Sequence, residues 1–489
     1  MKELAYKAID VAIANKARYA DIRLVLEQEE EIKTRNGIVE KSFYGEKEGF
    51  GIRLLYDNGW GFASSSLVAS EEIERKAKEA IEIAKATNYV KEKPISLAPT
   101  QVVEANYKTP YQKDPFEVKQ DQKIDLLLKC DQAMQEASKK LVSRQASLKF
   151  RKIKKIFASS EGSLLEQELV LSGGGLVAIA SEDGETQVRS YPKRDGNFAS
   201  MGYEFVEHLD FVGNAAKVAR EAEELLKANP CEAKETTVIL YPSQLYLQIH
   251  ESIGHGIELD RIFGSEQSLA GGSFISQILN KLGSFKYASP CVNVTADATL
   301  AGGLGTFGWD DEGIPGQKVD IIKEGMLVGL LTSRETITTL NTLLGRNYSP
   351  SGAMRASSYS KIPLIRMTNI NLLPGEYELE AMIDEVKDGV ILDTNYSWSI
   401  DELRKNFSFG TEIGWEIKNG KIRDMIKNPF YTGQTLEFWN SCDAIANKNY
   451  FEVYGTLTCG KGLPEQLIHV GHACSPARFR NVRVGSRVR

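Results

Sequence analysis

Between Ala20 and Ser66 the chain alternates polar and apolar residues through ADIRLVLEQEEEIKTRNGIVEKSFYGEKEGFGIRLLYDNGWGFASSS, with Asn-Gly pairs at 36–37 and 58–59. A two-residue period puts one residue set on each face of a pleated strand, and Asn-Gly supplies the positive φ angles that tight hairpins need. The stretch therefore predicts an antiparallel meander. A segment with helical apolar spacing, MKELAYKAIDVAIANKARYA, precedes it, and a further helix is predicted from Ser70, read as its cap, to about Ala86. A linker containing Pro and Lys follows over roughly 88–117.

The order then recurs loosely. A helix is predicted over about 118–142, then strands through ASLKFRKIKKIFASSEGSLLEQELVLSGGGLVAIASEDGETQVRS with turns at Glu161-Gly162 and Asp183-Gly184. A helix rich in Ala, Glu and Lys follows over about 214–228, and Pro230 would stop it. That places a domain boundary, with an N-terminal α+β domain over 1–230 and a sheet-rich C-terminal domain over 231–489. The C-terminal half reads as strands at TTVILYP, KVDIIKEGMLVGLL, YELEAMIDEV, GWEIKNGKIRDMI and FEVYGTLTCGKG. Without a regular βαβ rhythm the fold class is α+β, two domains, mostly antiparallel.

The 489 residues carry a net charge of −6 with 26% charged residues, which argues against a disordered chain and against nonspecific polyanion binding. Six cysteines lie scattered without a C-x-x-C pair, as expected of reduced thiols in a cytosol. Lys7, Asp10, Lys16 and Arg18 interrupt the first apolar segment, so it does not read as a signal peptide, and no run elsewhere reaches the ~20 apolar residues of a membrane span. The expectation is a soluble cytoplasmic protein that binds neither nucleic acid nor membrane.

Two of the five histidines flank a glutamate in HESIGH, as His250, Glu251 and His255. Two imidazoles and a neighbouring carboxylate supply what a hydrolytic zinc site needs: metal ligands and a base for water. The i, i+5 spacing opposes this, because a regular α-helix separates such side chains by roughly 140°. One π-type turn would absorb the extra residue and return both rings to nearly one face, and Gly254 and Gly256 would let the backbone deform. The preceding TTVILYPSQLYLQI reads as a buried strand, a turn at Pro242, a cap at Ser243 and a helix start. Spacing leaves the third ligand open among Glu258, Asp260, Cys459, His469, His472 and Cys474.

Other features have plainer readings. Gly303, Gly305 and Gly308 spell G-x-G-x-x-G, but no apolar-periodic helix follows, so a dinucleotide loop is not expected. Asp310, Asp311 and Glu312 read as a solvated acidic turn, and a lone cysteine such as Cys130, Cys231, Cys291 or Cys442 as a buried small hydrophobe. Arg478, Arg480, Arg483, Arg487 and Arg489 partly alternate, as on an exposed edge strand protected by charge.

Together the segments ADIRL, NGIVEKSFYGEKEGFGIRLLYDNGWGFAS, IHESIGHGIELDRIFG, DDEGIPGQKVDIIKEGMLVGLLTSRET, RMTN at 366–369, LLPGE and TCGKG resemble the TldD/PmbA family, in its TldD-type metal-binding branch. The resemblance spans nearly the whole chain. It implies a zinc-dependent peptidase acting on unfolded peptides or small proteins, with one Zn²⁺ per chain held by His250, His255 and Cys459 and with Glu251 as catalytic acid/base. It also implies Asp310, Asp311, Arg355 and Asn369 as residues shaping a substrate site, and a homodimer or a heterodimer with a PmbA-like subunit. The rival reading is a non-catalytic peptide-binding or partner subunit.

Overall fold

A computed structural model describes residues 1–90, 94–266 and 271–486. The alternating N-terminal segments form strands of 17 to 19 residues, Tyr19–Arg35, Ile38–Tyr56, Leu141–Ser159 and Leu164–Glu182, at the centre of an eight-stranded sheet. Typical strands have about 5–6 residues, so these are long enough for each to serve two neighbourhoods. Ile22, Leu24, Phe50 and Ile52 pack beneath Lys2–Ala14 and Ser70–Asn88. Farther along, Ile32, Leu148, Phe150 and Leu176 pack beneath Gln120–Ala137 and Phe211–Lys227.

The sheet's other face breaks the solvent-facing expectation for an alternating strand. Asp21, Arg23, Glu27 and Arg53 are all buried, because this face meets the C-terminal half. Arg53 donates to Asp21 at 2.7 Å and to Glu312 at 3.2 Å, and Lys155 reaches Asp311 at 2.5 Å. The Asp-Asp-Glu cluster is therefore a buried brace between the halves and not a solvated turn.

Two large sheets and a two-stranded one, Met354–Arg355 with Leu364–Ile365, build the C-terminal half among the described residues. In one large sheet, Asp388–Ile400, Lys234–Leu240, Ala477–Ser486, Pro429–Gln434 and Asn406–Lys418 lie in order, and the first pairs again with the last, closing the sheet on itself. In the other, Asn369–Leu372, Gln466–Cys474 and Glu452–Lys461 form one end. The helix Pro242–Ile249 is wedged between the two large sheets with all its residues buried. Burying a Leu or Ile side chain stabilises by about 1.5–3 kcal/mol, and Leu245, Ile249, Ile253 and Ile257 anchor this segment in the shared core.

Several sequence expectations change. The first hairpin has Asn36 and Gly37 at positive φ, but in the second it is Asp57 that takes φ 51°. Gly59 instead admits the helix Ser70–Asn88, since a Cβ there would lie 2.0 Å from the Ala84 carbonyl oxygen. The linker contributes a parallel strand, Glu104–Lys108, and the helix expected over 118–142 spans Gln120–Ala137. YELEAMIDEV holds the helix Leu379–Asp384, where Leu379, Met382 and Ile383 follow helical spacing onto an apolar cluster. The Arg-rich strand Ala477–Ser486 is interior to its sheet, and Arg478 is paired with Asp443 and Glu385. Arg487 and Arg489 lie outside the described residues.

Replacing Arg53 with Met leaves Asp21 and Glu312 buried without their counter-charge. Breaking a buried pair in this way costs about 3–5 kcal/mol, so Arg53→Met is expected to lower the urea midpoint by the corresponding amount. A loss below about 1 kcal/mol, the scale of an exposed pair, would contradict the brace.

Candidate metal centre

The strand Lys234–Leu240 feeds the wedged helix through Tyr241, with Pro242 in its first turn. Proline suits that position because the first helical N–H groups lack intrahelical acceptors. Ser243 is not the cap: its hydroxyl contacts the Asp393 carboxylate and accepts from the Thr394 N–H. At His250 the helix widens into a π turn, His250–Gly254, followed by a 3₁₀ turn, His255–Ile257. The His255 N–H donates to the His250 carbonyl five residues back, and the two rings meet edge to face with centroids 4.8 Å apart.

Buried polar groups hold the widened turn. The Tyr287 hydroxyl donates to the Ser252 carbonyl at 2.6 Å, the Ser252 hydroxyl to the Gln248 carbonyl at 2.5 Å, and the Trp439 indole N–H to the Ser252 hydroxyl at 2.9 Å. Gly254 has ordinary helical angles, so its role is close packing: a Cβ would lie 2.3 Å from Met367 Sδ.

Cys459 comes from the strand Glu452–Lys461, opposite Ile468 in the pairing with Gln466–Cys474. Its sulfur lies 3.5 Å from His250 Nε2 and 3.7 Å from His255 Nε2, and these donor atoms all lie within 4.8 Å of one another.

Hydrogen bonding fixes where the imidazole protons sit. A carbonyl only accepts, so the Ile370 carbonyl 3.1 Å from His472 Nδ1 requires a proton on that nitrogen. His472 Nε2 is then an acceptor, and His250 Nδ1–H donates to it at 2.8 Å. At His255, Nδ1–H donates to Glu258 at 3.2 Å. Both Nε2 atoms are left with lone pairs directed at the Cys459 side, the arrangement of metal-ligating histidines whose second nitrogen is held by an acceptor.

The electrostatics agree with this donor set. Burial pushes the His250 and His255 pKa values down, and drives His472 well below the usual histidine range. Burial raises the Cys459 thiol, but His255 and the Arg366 guanidinium outweigh it and hold the thiol below 9.0. Burial likewise works against the Glu258 carboxylate, yet Lys461 and Arg261 keep it well below 4.5. Neutral imidazoles, a thiol that ionises readily and anchored second nitrogens fit a divalent zinc ion.

A cavity of about 1050 Å³ opens over the cluster, between the long N-terminal strands and the C-terminal half. His250, Glu251, His255 and Cys459 line it. Glu251 Oε2 accepts from Arg404 Nη1 at 2.7 Å. Of the other third-ligand options, Glu258 and His472 support the histidine rings, Asp260 pairs with Lys461 at 2.8 Å, and Cys474 is buried against Pro242. His469 lies in a smaller pocket with Asp311 and Arg355.

The structure does not bring Asp310, Asp311, Arg355 or Asn369 into the large cavity. Asp310 accepts the N–H groups of Glu312, Ile314 and Met354, shaping its own loop. Asn369 joins the Gly305 N–H to the Asp297 carbonyl, and Arg355 donates to the His469 and Met367 carbonyls. Sequence reasoning missed Arg366, Lys461 and Arg404. The first two lie inside RMTN and TCGKG and had a signal, whereas Arg404 had none.

Glu258→Gln is expected to weaken zinc affinity about 10- to 100-fold, the usual cost of losing a group that orients a ligand. It also removes a carboxylate whose folded pKa is depressed, so its stabilisation is present above pH 4.5 and lost as pH falls through the lower folded value. The stability gap between wild type and variant should therefore be widest near pH 7 and shrink in acid. Equal metal affinity, with a gap that does not change with pH, would contradict this role.

Family models described as PmbA/TldA metallopeptidase domain 1, central domain and C-terminal domain match residues 20–84, 113–229 and 233–486. A metalloprotease of Methanocaldococcus jannaschii is 31% identical over 93% of this chain and 95% of its own. A zinc metalloprotease TldD homolog of Saccharolobus solfataricus is 24% identical over 99% of this chain and 100% of its own. TldE from Thermococcus kodakarensis has the same fold, with a TM-score of 0.72 at 16% identity over 99% of both chains. The chain belongs to the PmbA/TldD family of metallopeptidases.

Proposed function

We propose that the chain is a zinc-dependent peptidase that hydrolyses peptide bonds of unfolded peptides or small proteins, with one Zn²⁺ held by His250, His255 and Cys459. The observation that carries this is the convergence of two lone-pair Nε2 atoms and one thiol in a cavity that Glu251 also lines. When bound, zinc supplies a Lewis acid that polarises a scissile carbonyl and acidifies water.

The chain's own residues supply the rest. Glu251 takes a proton from the attacking water and delivers it to the leaving amine. Arg404 grips Oε2 at 2.7 Å, which fixes the carboxylate's position and leaves Oε1 for the proton. Burial raises the cost of an unpaired carboxylate, and the guanidinium offsets that cost. The cavity is lined in part by Gly455–Gly460 of the strand Glu452–Lys461, which lies at the edge of its sheet, so an extended peptide can add to its outer backbone groups. Folded domains present few free backbone groups and are expected to be poor substrates.

The non-catalytic reading is not favoured, because a binding subunit has no use for two oriented lone pairs and a thiol beside a carboxylate. A partner subunit of the same family fits the proposal, since TldE shares this fold, and a cytoplasmic location fits the free thiols. Among the described residues no helix is long and apolar enough to cross a membrane.

Glu251→Gln is expected to retain wild-type zinc content while losing at least about 100-fold in cleavage of an unstructured peptide, the scale of general acid/base catalysis. Chelator should abolish the wild-type activity. Equal rates for both forms would remove Glu251 from the mechanism.

A further inference from the structure

Lys193 is a cation of the large cavity that is buried without a carboxylate partner among the described residues. It lies in the turn between the strands Glu185–Tyr191 and Asn197–Ala199, on the N-terminal side of the cavity. The residue is only 3% exposed. Among the described residues no carboxylate comes within 4.0 Å of its amine, and its hydrogen-bond acceptor is the Arg194 carbonyl at 3.4 Å. Burial pushes the amine down to about 8, opposed by the exposed Asp195.

The position ties Lys193 to the metal cluster. Its amine sits 4.9 Å from the centre of the Tyr246 ring, whose centroid lies 6.1 Å from that of His472, tilted by 40°. His472 supports His250, and Tyr246 precedes His250 by one helical turn. A buried ammonium is costly unless an anion reaches it. Of the other lysines lining the cavity, Lys149 already has Glu29 as a carboxylate partner, and Lys33 is only half-buried.

We infer that Lys193 receives a carboxylate of the bound peptide, making it a substrate-positioning residue at one end of the cavity. This rests on the peptidase reading of the same site. Two sources share that chemistry, a free chain end and an acidic side chain, and both present a planar anion that an ammonium can pair with. Tyr246 presents its ring to the amine and its hydroxyl to Asn395 at 3.0 Å, so the ring holds the side chain in place at the lining of the cavity.

The test is direct binding of three short, unstructured, fluorescently labelled peptides to the full-length, zinc-loaded Glu251→Gln protein, which holds substrate without turnover. One peptide ends in a free carboxylate and has no acidic side chain, the second is its amide, and the third is the amide with one internal Glu. The free acid, the Glu peptide or both should bind at least about tenfold more tightly than the plain amide, as a desolvated charge pair requires. Lys193→Met, which keeps the volume against Tyr246, should erase that difference, and Lys193→Arg should keep it. If all three peptides bind the Lys193-containing protein equally, the inference fails while the peptidase reading stands. If none binds, both fail.

Discussion

The two histidines of HESIGH share one face only because the helix widens by a residue between them. That widening depends on its setting. The helix is clamped between two sheets, Tyr287 and Ser252 engage the turn's carbonyls, and Gly254 admits Met367 where any side chain would collide. A π turn is less favourable than α-helix by itself, so the surrounding core has to select it. Once it forms, His250 is placed against His472 and His255 against Glu258, and those contacts orient both free lone pairs toward Cys459. The widened helix and the strand Glu452–Lys461, distant in sequence, then converge on one donor cluster.

The N-terminal sheet serves this centre from outside. Its long strands carry apolar residues beneath helices on one face and buried charges on the other. Arg53, Lys155 and Arg23 meet Glu312 and Asp311 across the junction, so the brace is ionic near one end of the strands. Farther along the same strands the halves part, and Lys33, Ser147 and Lys149 border the cavity. One face therefore both fastens the two halves and forms a wall of the cleft. Desolvation offsets much of the attraction within these buried pairs, so their net contribution to stability is smaller than the cost of breaking one.

Much of this was legible in the sequence where the signal was local. The meander followed from alternation, and the π turn followed from the conflict between i, i+5 spacing and two ligands on one face. Boundaries and packing roles were less accessible. Asn58-Gly59 carries a hairpin signal, but Gly59 is glycine because a helix carbonyl lies against it. YELEAMIDEV has an ambiguous short apolar pattern that tertiary contacts resolved as helix. Asp311 looked like a solvated acid because sequence does not show that its cations come from Lys155 and Arg23, far away in the chain, and Asp310 because sequence does not show the backbone N–H groups that enclose it. Spacing left six candidates for the third ligand, and of these only Cys459 joins the two histidines in the cluster. His472 and Glu258 sit one shell outward, a distinction that only distances and proton positions can make.

Everything proposed for the cavity depends on zinc binding through two imidazole nitrogens and one thiolate. X-ray absorption at the zinc edge on the reconstituted full-length protein measures that shell directly. One sulfur at about 2.3 Å with two nitrogens at about 2.0–2.1 Å, and loss of the sulfur contribution in Cys459→Ala, is the predicted result. A shell of nitrogen and oxygen alone in the wild type, or failure to retain zinc after reconstitution, would contradict it.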